Sequence, residues 1–504
     1  MEAFIVPSWI TLFYVVLFYV VAALYSYVYT GAMNGKELLQ KLEEKSSFQL
    51  FEKLYGPEGA AAGKNRYASL IKALLSDTDF PRSAFPESEG ELRLFTAAGR
   101  TELGGNHTDH NRGRVLAASI QLDQAAVAAP RADNRIFFRS TGYPDVVVDL
   151  AGTDGRPDLE PKENEKGITE SLVRGIAAEF SARGVPVKGF TVNADSTVLP
   201  GSGLSSSAAV EVLFGRIINN LYNEGKFNSL EIAQIGQKAE NVYFGKPCGL
   251  MDQTACAYGG AVAIDFVDPS MPVVKQVDVD LAAAGYALCV VNTRGSHADL
   301  TPDYAAIPSE MKATAAFFGK EALRYCDRES VEKQAAGIRQ KLGDRALLRA
   351  LHFFDENQRA ADMHTALEKL AGAASKQEAM AHYLQLVNES GDSSWELLQN
   401  IYSTQNVKEQ GIAVALALTR NFLHSASVPS GSSIGACSGT HRGACNGKLY
   451  GACRVHGGGF AGTIQAYIPV SMLESYCVLM NGIFGPGSVT ILRIRPVGAE
   501  ELAL

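Results

Sequence analysis

The chain has no run rich in lysine or arginine, and its 54 acidic residues outnumber its 46 basic ones to leave a net charge of −8. Nucleic-acid binders ordinarily present a basic face, so no nucleic-acid partner is expected. Cysteine is scarce, eight in 504 residues, and none forms a CxxC pair. That argues against zinc ribbons and dithiol redox motifs. Cys437, Cys445 and Cys453 recur at a spacing of eight, which matches no common zinc pattern. They read as small apolar residues of a reduced protein. The only tryptophans, Trp9 and Trp395, lie far from any motif. No Gly-Lys-Ser/Thr follows the glycines near residue 200, GxGxxG is not met there, and no HRD or DFG is found. Walker-type NTPases, dinucleotide folds and protein kinases lose their signatures together.

What is present is ordinary globular usage, 46% hydrophobic and 20% charged, in a chain long enough for two or three domains. Between Ala3 and Gly35 there is no charge, and the stretch FIVPSWITLFYVVLFYVVAALYSYVY is long enough to span a bilayer. It lacks the basic start of a secretory signal. Residues 4–29 read either as a membrane anchor or as an extension outside the working protein, with Met33 as its start. The second reading is preferred. In the first, Lys36, Lys41 and Lys45 would keep the adjoining domain in the cytoplasm.

The segment NGKELLQKLEEK reads as an opening helix, and a polar, proline-containing stretch continues to about residue 90. ELRLFTAAGR, RVLAASIQLD, NRIFFRST, DVVVDL, GFTVNAD, GYALCVVNT, TIQAYIP and SVTILRIRP have the branched and aromatic content of strands. Apolar spacing predicts helices over 168–183, 207–222 and 229–245, and a mostly helical region over 308–424. Strands and helices mix without a regular βαβ beat, which predicts an α+β fold. Domains are expected over 33–285 and 286–504, after the extension 1–32.

The sharpest local signal is LPGSGLSSSAAVEVLFGRI. Gly201 and Gly203 let amides turn into one concavity. Ser205, Ser206 and Ser207 add hydroxyls, and an apolar helix begins at once behind them, with its positive end toward the loop. Pro200, Ser202, Leu204 and Ala208 complete the loop. Such a turn suits phosphate, although a plain capped loop has the same composition. Two carboxylates come next, Glu240 on a helix and Asp252 in the loop beyond it.

Two further clusters flank this centre. AAGRTELGGNHTDHNRGRVL gathers Arg100, Asn106, His107, Asp109 and His110 among four glycines. It reads as a polar recognition loop between strands, with hydroxyls of a polyol as its natural partners and a metal as the lesser reading. GACRVHGGGFAG places three glycines before Phe460, a sign of close backbone approach or of a tight turn.

In this order the three motifs resemble those of the GHMP small-molecule kinases and, more narrowly, of the galactokinases, over nearly all of 33–504. GRTELGGNHTDHNRGRVL is similar to the sugar-binding signature, LPGSGLSSSAA to the phosphate loop and GACRVHGGGFAG to the C-terminal glycine motif. The resemblance implies two α+β domains with the active site between them, and ATP with Mg²⁺ as cofactors. It implies a cytoplasmic enzyme phosphorylating the C1 hydroxyl of galactose. Asp252 would face that hydroxyl and Arg100 would stabilise the transferring phosphoryl. Glu240 and Ser207, with Ser206 as rival, would hold Mg²⁺. Asn106, His107, Asp109, Tyr304 and Gly458 would contact the sugar. Two departures bear on substrate: Asn106 stands where the family commonly has glutamate, and His110 where it has tyrosine. N-acetylgalactosamine and arabinose are therefore alternative substrates, and a non-catalytic sugar and ATP sensor is the reading from another class.

Overall fold

The computed structural model describes residues 33–76, 91–151, 158–198, 203–295, 300–372, 376–425, 444–445 and 448–504. The apolar stretch 4–29 and the loop residues Leu199, Pro200, Gly201 and Ser202 lie outside the described residues. Among the described residues, no helix is long and apolar enough to cross a membrane.

Fourteen strands are named in chain order: β1 Arg93–Gly104, β2 Arg114–Pro130, β3 Arg135–Ser140, β4 Val146–Asp149, β5 Phe190–Ser196, β6 Ala261–Asp265, β7 Val273–Val277, β8 Tyr286–Asn292, β9 Ala444–Cys445, β10 Lys448–Leu449, β11 Ala452–His456, β12 Thr463–Pro469, β13 Val489–Leu492 and β14 Glu500–Leu502. The longer helices are α1 Gly35–Lys41, α2 Lys45–Ser76, α3 Thr169–Ala182, α4 Ser206–Tyr222, α5 Ser229–Lys238, α6 Met251–Tyr258, α7 Thr301–Phe317, α8 Asp344–Ala371, α9 Lys376–Ser393, α10 Gly411–Ser425 and α11 Leu473–Phe484.

An eight-stranded sheet runs β14-β1-β2-β5-β3-β4, with β6 on the other half of β2 and β7 beyond β6. Strand β2 is long enough to serve three neighbours. Its first residues pair with β6 and its last with β5, while β1 runs antiparallel along its length. The register of β1 against β2 shifts twice, between Ala98 and Arg100 and between Glu102 and Gly104. Such irregularities increase twist and re-aim side chains, and here they bracket the polar end of β1. A second, four-stranded antiparallel sheet runs β11-β12-β8-β13.

Helices α3 to α6 cover one face of the large sheet, where Phe95, Val192, Phe214 and Ile217 are fully buried. Helices α1 and α2 cover part of the other face through Phe51, Leu54, Tyr67 and Ile71. Helices α8 and α9 fill the space between the sheets with Met363, Tyr383 and Leu384. Helices α10 and α11 close the small sheet through Leu416, Tyr476 and Met480.

The polar, proline-containing stretch after the opening helix carries no expected element, and α2 occupies Lys45–Ser76 of it. Gly56 has φ +76°, so the helix kinks there, and Pro57 is tolerated because it starts a new helical turn. The opening helix α1 is capped by Asn34 and Glu37, which form a reciprocal capping box.

One buried carboxylate ties these layers together. Asp123 on β2 is fully buried and accepts from Tyr55 Oη at 2.7 Å, Thr96 Oγ1 at 2.6 Å, Arg66 Nη1 at 2.8 Å and Arg495 Nη1 at 3.0 Å. Burial alone would raise its pKa, but the two guanidinium groups hold it below the ordinary value. Removing one partner of a buried ion pair leaves the other charge uncompensated, typically at a cost of about 3–5 kcal/mol. Asp123→Asn is accordingly predicted to lower unfolding free energy by about that amount in urea titrations, and a loss below about 1 kcal/mol would contradict this role.

Candidate active site

Helix α4 begins without the cap that its sequence offers. Ser205, at the N-cap position, has φ +58° and gives no side-chain hydrogen bond to the helix. Its hydroxyl instead donates to Asp252 Oδ2 at 2.5 Å. The first amides of α4 are left without a capping side chain, and such amides are donors for an anion. Gly203, with φ +74°, passes so near His456 that a Cβ there would lie 3.3 Å from Nδ1.

Arg100 holds this loop to the sheet. Its guanidinium donates to both oxygens of Asp252, Nε to Oδ1 and Nη2 to Oδ2, each at 2.8 Å. Its Nη1 donates to the Gly203 carbonyl, and its backbone amide donates to the Leu204 carbonyl at 3.1 Å. Asp252 does not lie in a loop as the sequence suggested. It is in the first turn of α6, where the helix end favours a negative charge. The Asp252 side chain keeps 33% of its surface against 9% for Arg100, so one side of the carboxylate faces open space. Burial pushes its pKa up, but Arg100 and the Ser205 hydroxyl outweigh this and hold it below the ordinary value.

A second acidic centre lies beside the loop. Glu240 sits in a wide helical turn, Ala239–Phe244, that continues α5. Its Oε1 accepts from Ser207 Oγ at 3.4 Å and from Lys246 Nζ at 3.1 Å. Sequence reasoning missed its neighbour Glu211, which is fully buried on α4. Gln253 Nε2 bridges the two carboxylates, 2.9 Å from Glu211 Oε2 and 3.0 Å from Glu240 Oε2. Burial first, then the charge of Glu240, push the Glu211 pKa well above the carboxylate range. Glu211 Oε1 has no hydrogen-bond partner among the described residues. The signal was inside the phosphate motif itself, a glutamate on an apolar helix face. Ser206 shows no bond to either carboxylate among the described contacts, whereas Ser207 does.

The third group is organised around the glycine turn after β11. His107 Nε2 donates to the Gly458 carbonyl at 3.0 Å, and Tyr304 Oη donates to the Gly459 carbonyl at 2.9 Å. Gly458 lies against the Tyr304 ring, where a Cβ would come within 2.5 Å of Cε1. Asn106 is 1% exposed, with its amide directed into the protein. Asp109 stands apart from this turn. Its Oδ2 lies so close to Gly249 that a Cβ there would approach to 2.3 Å. Asp109, His110, Gly249 and Leu250 line a cavity of about 430 Å³, within the size range of small-ligand sites. Among the described residues no group of three His, Cys, Asp or Glu side chains could hold a metal, so the HTDH segment forms no such cluster. Cys437 lies outside the described residues, as does the Cys445 side chain, and Cys453 is buried in the small-sheet core.

A two-sheet α+β frame with a glycine loop feeding an uncapped helix, and a carboxylate–arginine pair beside it, defines a small-molecule kinase of the GHMP class. The GHMP kinases N terminal domain profile matches residues 171–260, and the galactokinase galactose-binding signature matches residues 82–130. A galactokinase of Streptomyces coelicolor is 34% identical over 290 residues, covering 56% of this chain and 70% of that protein. One of Clostridium tetani is 30% identical over 284 residues, with the same coverage of 56% and 70%. The crystal structure of Lactococcus lactis galactokinase complexed with galactose superposes with TM-score 0.64 at 22% identity, covering 82% of this chain and 95% of that one. The chain belongs to the galactokinase family and is an ATP-dependent sugar kinase.

Two imidazoles shielded from water give the site a pH signature. Burial pushes His107 down to about 4 and His456 down to about 3. Both rings are neutral in the folded chain, whereas in the unfolded chain they take up protons near pH 6.5. The stability linked to them is present above about pH 6.5 and is lost as pH falls toward their folded values. The melting temperature should therefore fall steadily from pH 6.5 to 4.5, and His456→Gln should flatten that slope. A melting temperature unchanged over this range would count against neutral imidazoles.

Proposed function

We propose that this chain transfers the γ-phosphoryl of ATP to the anomeric C1 hydroxyl of galactose, giving galactose 1-phosphate and ADP. The observation that carries the reading is the convergence of Arg100 and Ser205 on Asp252 at the uncapped start of α4. Phosphoryl transfer asks a protein for positioning and for cations at the developing charge more than for covalent chemistry. The loop from Pro200 to Ala208 is taken to hold the ATP phosphates through its backbone amides. The partly open side of Asp252 accepts a hydrogen bond from the C1 hydroxyl and so aims its oxygen. Because Arg100 keeps that carboxylate ionised, it is a weak base. It receives the hydroxyl proton as the new O–P bond forms and the bond to the departing ADP oxygen breaks. Arg100 remains beside it to balance charge.

Of the paired buried carboxylates, Glu240 meets Lys246 and Glu211 keeps an oxygen without a partner among the described residues. That donor set fits a hard divalent cation. Ser207 and Glu240 are the residues proposed to hold Mg²⁺, which would neutralise the phosphate oxygens. Asp109, packed against Gly249, is proposed to accept hydroxyl hydrogen bonds from the sugar, with His107, Tyr304 and Gly458 shaping the opposite wall. The boundary proposed between the two domains falls near residue 285, between β7 and β8. A cytoplasmic location is proposed on the same reading, since ATP is supplied there.

With MgATP and galactose, Asp252→Asn is predicted to lower kcat by about 100-fold or more in a coupled ADP assay. ATP binding by calorimetry should stay within about threefold of the parent. An unchanged kcat would remove Asp252 from the reaction. Glu240→Gln is predicted to raise the Mg²⁺ concentration for half-maximal rate by about tenfold, and an unaltered Mg²⁺ curve would reject Glu240 as the metal residue.

A further inference from the structure

Asn106 occupies the position where the resemblance expects a sugar-contacting glutamate, yet each of its polar groups is engaged by protein. Its backbone amide approaches Glu356 Oε1 at 3.4 Å, and its carbonyl accepts from His352 Nε2 at 3.0 Å. Its side-chain Nδ2 donates to Glu102 Oε1 at 3.0 Å and to the Gly457 carbonyl at 2.7 Å. Its Oδ1 accepts from Asn400 Nδ2 at 2.8 Å. Turning this amide toward a ligand would break at least two bonds inside a buried cluster, where an unpaired polar group costs about 1–3 kcal/mol.

The cluster extends to the glycine turn. Asn400 Nδ2 also donates to the Gly458 carbonyl at 3.1 Å, and the Asn400 carbonyl accepts from Phe460 N at 2.5 Å. Gly459 has φ +84° and is so close that a Cβ there would lie 2.2 Å from the Asn400 carbonyl oxygen. The carbonyls of Gly457, Gly458 and Gly459 are thus each held by a side chain from another segment. Two of those side chains, His107 and Tyr304, belong to the sugar wall. Glu102 pairs with Arg454 Nη2, and both residues are buried. A carboxylate at position 106 would lose both donations that Nδ2 now makes and would face the Glu102 oxygen that this amide bonds, and like charges so placed in a buried site disfavour ionisation of one of them.

We propose that Glu102 and Asn400 are positioning residues of the sugar site. They act through Asn106, which reads the protein and not the sugar, to set the Gly457–Gly459 turn on which His107 and Tyr304 rest. Glu102 supplies from the floor of the site the carboxylate that the Asn106 side chain bonds, while Glu356 meets its backbone amide. The proposal rests on the sugar-kinase reading above.

The test is a cycle between enzyme variants and sugars. Galactose and its 2-, 3-, 4- and 6-deoxy forms are assayed with the parent chain, Glu102→Gln, Asn400→Asp and Asn106→Ala, each with its melting temperature. Parent turnover of galactose is measured first, so failure of the kinase reading shows there and is separate from failure of this one. Each variant is expected to raise the KM for galactose by about tenfold while the KM for ATP stays within about twofold. The fold-change in kcat/KM should be the same for every sugar. If the Asn106→Ala effect vanishes for one deoxy sugar, Asn106 touches that hydroxyl and the proposal falls. A galactose KM within twofold of the parent in Glu102→Gln also overturns it. Should Glu102→Gln fail to fold, the near-isosteric Asn400→Asp carries the same two readouts, and an unchanged KM there rejects the proposal.

Discussion

The two-pronged bond from Arg100 to Asp252 is the contact on which the site depends. It joins the irregular end of β1 to the first turn of α6, with both oxygens of the carboxylate held at 2.8 Å. The third guanidinium nitrogen reaches Gly203, so the phosphate loop is tied to the same point. Charge-assisted, forked pairing of this kind fixes direction as well as distance. Ser205 is drawn out of its capping role by the same carboxylate, and the start of α4 is thereby left with amides to offer an anion. One ion pair thus sets the geometry of Asp252 and of the loop at Gly203 together.

Behind that pair the structure separates charges by task. Asp252 is paired with an arginine and stays ionised, whereas Glu211 and Glu240 face one another with Gln253 between them. The first arrangement suits orienting a hydroxyl near a phosphoryl group, and the second suits accepting a cation. The carbonyls of the Gly457–Gly459 turn are clamped by side chains from the loop after β1, from α7 and from the segment after α9. Each of these carbonyls is satisfied, which holds the turn in one arrangement, while Asn400 Oδ1 and Arg454 Nε and Nη1 nearby have no partner among the described residues.

The short motifs were legible because each encodes a local backbone requirement. Gly203 and the serines announce a turn before a helix, and the glycines from Gly457 to Gly459 announce close approach whatever the rest of the chain does. Helix α2 was not legible, since Gly56 and Pro57 interrupt its pattern and only packing of Phe51, Tyr67 and Ile71 against the sheet makes them a kink. Asp252 was found as a residue but misplaced in structure, because the glycines and proline before it mark a loop that ends one residue earlier. Glu211 hid within an apolar helix face. Glu102 and Asn400 are separated by nearly 300 positions, and no local pattern links residues that meet only through Asn106. The orientation of Asn106 depends on both of them and could not be read from its own neighbourhood.

The central claim is that the open side of Asp252 receives the C1 hydroxyl of the sugar at the phosphate loop. Phosphorus NMR of the product formed from MgATP and galactose tests it most directly. The predicted result is a phosphomonoester resonance split by coupling to the anomeric proton, with an equal amount of ADP. A phosphate on C6, or free inorganic phosphate in place of a sugar phosphate, would contradict it.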